Sequence, residues 1–127
     1  MQTAAPGQIV LMLFEGAIRF LERAEAGFGI DDPADANQAI HNNIQRTQEI
    51  LHELNVSLDL QSGGELARTL RNLYEYMDRR LLESNLHKKS EGIVEARRHL
   101  TTLRDAWAKM LQGQSADSRT DAAMAVA

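Results

Sequence analysis

At 127 residues and 14.2 kDa the chain has the length of one domain, and at that mass folding buries roughly two-thirds of the unfolded surface, enough for a core. Apolar residues make up 43% and charged residues 25%, which excludes a disordered chain, and the absence of Cys excludes a disulfide framework, thiolate metal sites and a cysteine nucleophile. A net charge of -4, with 14 Lys and Arg dispersed among 18 acidic residues, excludes the basic face that neutralising a phosphate backbone requires.

Turn and cap residues divide the chain into four helical stretches and a tail. The first helix is expected to start between Thr3, as a cap, and Pro6, which the first turn tolerates, and to end near Phe28 between Gly27 and Gly29. Within it, Ile9 to Phe14 is too short to cross a bilayer, is closed by Glu15 and lacks a basic flank, so neither membrane insertion nor an export signal is expected; a soluble cytoplasmic protein follows. Asp31-Asp32-Pro33 supplies a cap and then Pro at the first helical position, opening a second helix to about Leu58. Ser62 and Glu65 have capping-box spacing, which predicts a third helix from there to about Leu86. Ser90 caps a fourth, from Glu91 to about Gln112, with Gly113 as its stop.

Helices of about 22 to 25 residues span about 33 to 37 Å, and lengths so matched, joined by short connections, pack as antiparallel neighbours. The expectation is an all-α, antiparallel up-down-up-down four-helix bundle over residues 3–112, followed by a flexible or weakly helical tail over 113–127.

Apolar stripes at helical spacing give the core. On the second helix they comprise Ala36, Ile40, Ile44, Ile50, Leu51, Leu54 and Leu58, with Asn43 and Thr47 inside the stripe. On the third they are Leu66, Leu70, Leu73, Tyr74, Met77 and Leu81, and on the fourth Ile93, Ala96, Leu100, Leu103, Trp107 and Leu111. Helix one exceeds the pattern: ten of the thirteen residues from Ile9 to Leu21 are apolar, where a core-facing helix needs about three in seven. Leu11 and Met12 lie outside its main arc of Val10, Leu13, Phe14, Ala17 and Leu21, so that side is either overlapped by a neighbouring loop or helix, or is an interface.

Bundles often carry metal sites built on Glu-x-x-His pairs, and Glu49 and His52 have that spacing, but both fall opposite the apolar stripe. The four His are scattered, and Gly63-Gly64 lacks the preceding strand and following Lys of a phosphate loop. No catalytic, cofactor or metal residue is expected, and the protein is not expected to be an enzyme.

Five strings are recognisable together: Thr3 through Ile18, Glu53-Leu-Asn-Val-Ser-Leu-Asp59, Gly63-Gly-Glu-Leu-Ala67, Leu73-Tyr-Glu-Tyr-Met77 followed by Arg79-Arg80-Leu81 and Asn85, and Leu103-Arg-Asp-Ala-Trp107. In this order and spacing the chain resembles the flagellar secretion chaperones called FliS. The resemblance implies a cytosolic, non-enzymatic chaperone that covers the disordered C-terminal region of flagellin, prevents premature polymerisation and delivers the subunit for type III export, with the export gate and a regulatory protein as further partners. The chain departs from the family in having Phe14 and Glu15 where Tyr and Asp are common, and in placing only Met1-Gln2 ahead of Thr3. Family members carry a longer leading stretch that covers part of the groove; here the tail from Ala123 to Val126 is the segment expected to take that role.

Combined with the stripes, the resemblance puts the flagellin-binding surface on Leu11, Met12 and Phe14 of the first helix, Ile50, Leu54, Asn55 and Leu58 of the second, Leu73, Tyr76, Met77 and Leu81 of the third, and Trp107 of the fourth, some of them belonging to the core. Asn43, Thr47 and Asn55 are candidates for bonds to cargo backbone or for sealing the bundle's edges. The competing expectation is a non-enzymatic homodimer or adaptor that uses the same apolar face.

Overall fold

The computed structural model describes residues 5–117, with side chains through Gly113. Four helices fill it: α1 (Pro6–Gly27), α2 (Pro33–Val56), α3 (Gly64–His87) and α4 (Glu91–Asp117), with no strand among the described residues. Asp32 opens α2 as expected, its carboxylate accepting from the Asp35 amide at 2.9 Å with Pro33 at the first helical position. The first helix begins at Pro6 behind Ala5, without a side-chain cap; Thr3 lies outside the described residues.

Three ends differ from expectation, each for a local reason. The second helix stops at Val56, because the Ser57 hydroxyl donates to the Leu54 carbonyl at 2.8 Å and closes the last turn. The capping box on Ser62 does not form. Asp59 instead accepts from the amides of Gln61 and Ser62 at 3.1 and 2.9 Å, an Asx turn that holds its carboxyl below the ordinary value chiefly through the Ser62 amide. The helix then starts after Gly63, through Gly64 at φ 57, where a side chain would be strained. Gly113 does not stop α4, which runs on to Asp117; a helical glycine costs only about 1 kcal/mol, and this one has open space around it. The expected tail from 118 onward, including Ala123 to Val126, lies outside the described residues.

Each helix packs on its two neighbours in chain order, and α4 closes the ring against α1. Cross-links fix the antiparallel sense. Near one end Trp107 donates to the Gly7 carbonyl at 2.8 Å; near the other Arg97 of α4 pairs with Glu25 of α1, and the Asn85 amide bonds the His41 ring at 2.9 Å. The core is aliphatic around two large rings, Phe14 and Tyr74, with Leu21, Ile44, Leu54, Met77, Leu81, Ile93 and Leu100 fully buried. At Gly92 α3 and α4 come so close that a Cβ would overlap the Arg80 carbonyl oxygen and the Ser84 hydroxyl. No helix among the described residues is long and apolar enough to cross a membrane.

Candidate partner-binding surface

Between α3 and α4, toward the end where α4 meets the start of α1, the surface opens into an almost wholly apolar cavity of about 190 Å³. Leu66 and Leu70 of α3 form one wall, Leu103, Trp107 and Met110 of α4 the other, and Phe14 of α1 lies at its base. The walls are built by packing deeper in the bundle. Trp107 is locked by its bond to Gly7, and Phe14 meets its ring edge-on at 6.3 Å. Leu66 at the rim is 44% exposed, so the apolar lining continues to the surface. Leu70 and Leu103 were legible in the sequence only as stripe residues; Met110, three residues after Trp107, follows from helical spacing and was missed.

The twelve residues singled out in the sequence fall into four groups. Phe14 and Trp107 line the α3–α4 cavity, and Asn55 lines a separate cavity between α2 and α3. Met12 is 56% exposed and, with Ile9, forms the outward apolar edge of α1, while Leu11, Ile50, Leu58 and Leu73 are half-buried against the core. Leu54, Met77 and Leu81 have no exposed surface and belong to the core, so a partner cannot touch them while the bundle is closed. The excess on α1 is therefore smaller than its sequence implies, because the flanking helices overlap Leu11 and Leu13 and leave Ile9 and Met12 outside.

Tyr76 is half-buried and engaged in a polar staple rather than an apolar one. Its hydroxyl donates to Glu95 of α4 at 2.9 Å, Arg80 donates to the same carboxylate at 2.7 Å, and Arg79 lies 6.0 Å over the tyrosine ring. Arg80 first, then Tyr76, holds the Glu95 carboxyl below its usual value, and the carboxylate raises the Tyr76 hydroxyl in return. Within the α2 stripe, Asn43 donates to the Ala39 carbonyl at 2.8 Å and Thr47 to the Asn43 carbonyl at 3.0 Å, so these side chains close on their own helix. Asn55 is different: its carboxamide oxygen is buried without a partner. Glu49 and His52 are exposed, and among the described residues no three acidic or histidine side chains converge as metal ligands.

The model of the family described as "Flagellar protein FliS" matches residues 1–114. The chain belongs to the FliS family. It is 32% identical to the flagellar secretion chaperone FliS of Bacillus subtilis over 91% of this chain and 82% of that one. The FliS of Salmonella typhimurium is 36% identical over 83% of this chain and 76% of its own, and that of Escherichia coli 32% identical over 89% and 81%. The match takes in α1 to α3, α4 as far as residue 114, and the two cavities described above.

Proposed function

We propose that this flagellar secretion chaperone works in the cytoplasm by binding the C-terminal segment of flagellin, keeping it from polymerising and holding it ready for the export gate. Family membership supports the chaperone role, and the observation that carries the binding reading is the apolar cavity walled by Leu66, Leu70, Leu103, Trp107 and Met110. A slot of this shape between two helices accepts the apolar face of an amphipathic segment, and the exposed Ile9 and Met12 on α1 extend the apolar surface available to a longer chain. Ordering a disordered segment costs conformational entropy, so a cargo of this kind has to meet several such patches at once. The action is binding, with no chemical step required of the chaperone.

The test is calorimetric titration with a synthetic peptide of the flagellin C-terminal segment, paired with light scattering over a concentration series. One-to-one binding with a negative heat-capacity change is expected. A protein that ignores the peptide and instead dimerises with rising concentration has its apolar edge committed to a second copy, and the cargo reading falls.

A further inference from the structure

Ion pairs are spread unevenly over the bundle: each one formed among the described residues includes a residue of α3 or α4. The outer face of the α1–α2 pair leaves its charges unused. At helical spacing, Ile9, Met12, Gly16, Phe20 and Arg23 run along one side of α1, and Asn42, Arg46, Glu49, Glu53 and Val56 along one side of α2. A Cβ on Gly16 would touch the tip of Ile50 and one on Gly27 would touch Ile40, so the two rows run antiparallel in a register that sets Met12 near Glu53 and Phe20 near Arg46. Met12 and Val56 are 56% and 62% exposed, and Arg23, Arg46, Glu49 and Glu53 are exposed without an ion pair among the described residues. Gly16 adds a second observation. Glycine is unfavourable inside a helix, and the bundle does not require it here, because the Cβ would meet Ile50 Cδ1 at 3.5 Å, an ordinary contact. Its absence leaves the middle of the α1 row open to the close approach of another backbone.

The chemistry of the face selects its occupant. Two arginines and two glutamates make it neutral on a chain whose net charge is -4, so it suits neither a strongly basic nor a strongly acidic partner. The charges are also segregated: Glu53 lies with the apolar Ile9, Met12 and Val56 toward one end, and Arg46 and Arg23 lie with Phe20 toward the other. Turned end for end about an axis at Gly16, the face is its own complement. Met12 meets Phe20 of the partner subunit, Glu53 meets the partner subunit's Arg46, and Glu49 falls nearest the axis, between the arginines of the two copies. The 22 residues of α1 span about 33 Å and two helices abreast about 20 Å, so such a contact covers about 650 Å² on each copy, a total of about 1,300 Å², within the range of specific interfaces. We infer that the outer α1–α2 face docks a second copy of this chain, antiparallel and two-fold symmetric about Gly16, through Met12–Phe20 and Glu53–Arg46 contacts each made twice. The α3–α4 cavity lies on the opposite side of the ring and stays open in this dimer, while a cargo long enough to reach Met12 displaces the second copy.

The experiment is sedimentation of the full chain over a concentration series. Wild type is expected to pass from monomer to dimer as concentration rises, less readily in high salt because exposed ion pairs are screened. Glu53→Arg and Arg46→Glu, both at exposed positions, each weaken dimerisation about tenfold, since both symmetric pairs become repulsive at once. Mixing the two variants restores it, because each repulsive pair is then replaced by an attractive one, and the chain carrying both substitutions dimerises like wild type. Gly16→Ala raises the melting temperature of the dilute monomer and weakens dimerisation severalfold, two opposite effects that a purely structural glycine does not produce. A wild type that stays monomeric throughout overturns the inference, as do single variants that dimerise like wild type or a mixture that gains nothing. If the wild type is monomeric and the same substitutions lower affinity for the flagellin peptide instead, the face belongs to cargo and not to a second copy. None of these results bears on whether the α3–α4 cavity takes the peptide, which the titration above decides separately.

Discussion

Gly92 shows how narrowly single residues set this bundle. A Cβ there would meet the Ser84 hydroxyl and the Arg80 carbonyl, and the carbonyl, being backbone of α3, cannot retreat without bending that helix. Gly92→Ala is therefore expected to destabilise the fold by about 1–3 kcal/mol, read as a lower urea midpoint at unchanged slope. Gly113→Ala, with nothing nearby, is expected to gain up to about 1 kcal/mol in the same assay. Trp107 offers a different kind of measurement, because it is the only tryptophan and sits in the wall of the α3–α4 cavity at 8% exposure. An apolar cargo side chain entering that cavity strips the remaining water from the indole, so its emission shifts to the blue on adding the flagellin peptide. Leu66→Glu at the exposed rim leaves the far-ultraviolet circular dichroism intact and removes the shift. A shift that survives this substitution places the cargo elsewhere.

At the scale of elements, the existence and order of the helices were legible, because helical periodicity and the Asp32-Pro33 start are local signals with local causes. Three ends were not, since each depended on a local competitor: Asp59 captured the Gln61 and Ser62 amides before Ser62 could act as a cap, the Ser57 hydroxyl closed α2 early on the Leu54 carbonyl, and α4 ran on through Gly113. The site was legible as a set of stripes but not as surfaces. A wheel gives the width of a stripe, while the placement of the neighbouring helices decides that Met77 is sealed in and Leu66 stands at a rim. Least legible was the α3–α4 staple, which joins residues 15 and 19 positions apart in sequence. Its pH dependence follows from the lowered Glu95 carboxyl. A carboxyl whose folded value lies below its ordinary 4.5 adds stability that is complete above that value and is lost as the pH falls through the lower folded one. Melting temperatures recorded downward through the carboxylate range should therefore drop more steeply for wild type than for Glu95→Gln, which lacks the titrating group and is the less stable of the two at neutral pH. Parallel curves for the two proteins would show that the staple contributes nothing measurable.

For the molecule as a whole, the issue is whether cargo binds a closed bundle or an opened one. All neighbouring helices are antiparallel and, apart from α4 closing on α1, sequential, and the connections are short; the closed form is thus rich in local contacts and quick to re-form after any opening. Leu54, Met77 and Leu81 anchor its centre without exposed surface, and prying them loose would forfeit the burial that holds the helices together. The two cavities and the Ile9–Met12 edge, by contrast, are available without moving a helix. Native-state hydrogen exchange separates the alternatives. If cargo lies on the closed bundle, amides around Leu54, Met77 and Leu81 exchange as slowly with saturating flagellin peptide as without it, or more slowly, since a ligand at a hundred times its dissociation constant adds about 2.7 kcal/mol to the cost of global opening. If exchange at those positions accelerates when the peptide binds, the helices part to admit it, the core leucines and Met77 become contact residues after all, and docking onto pre-formed cavities is wrong.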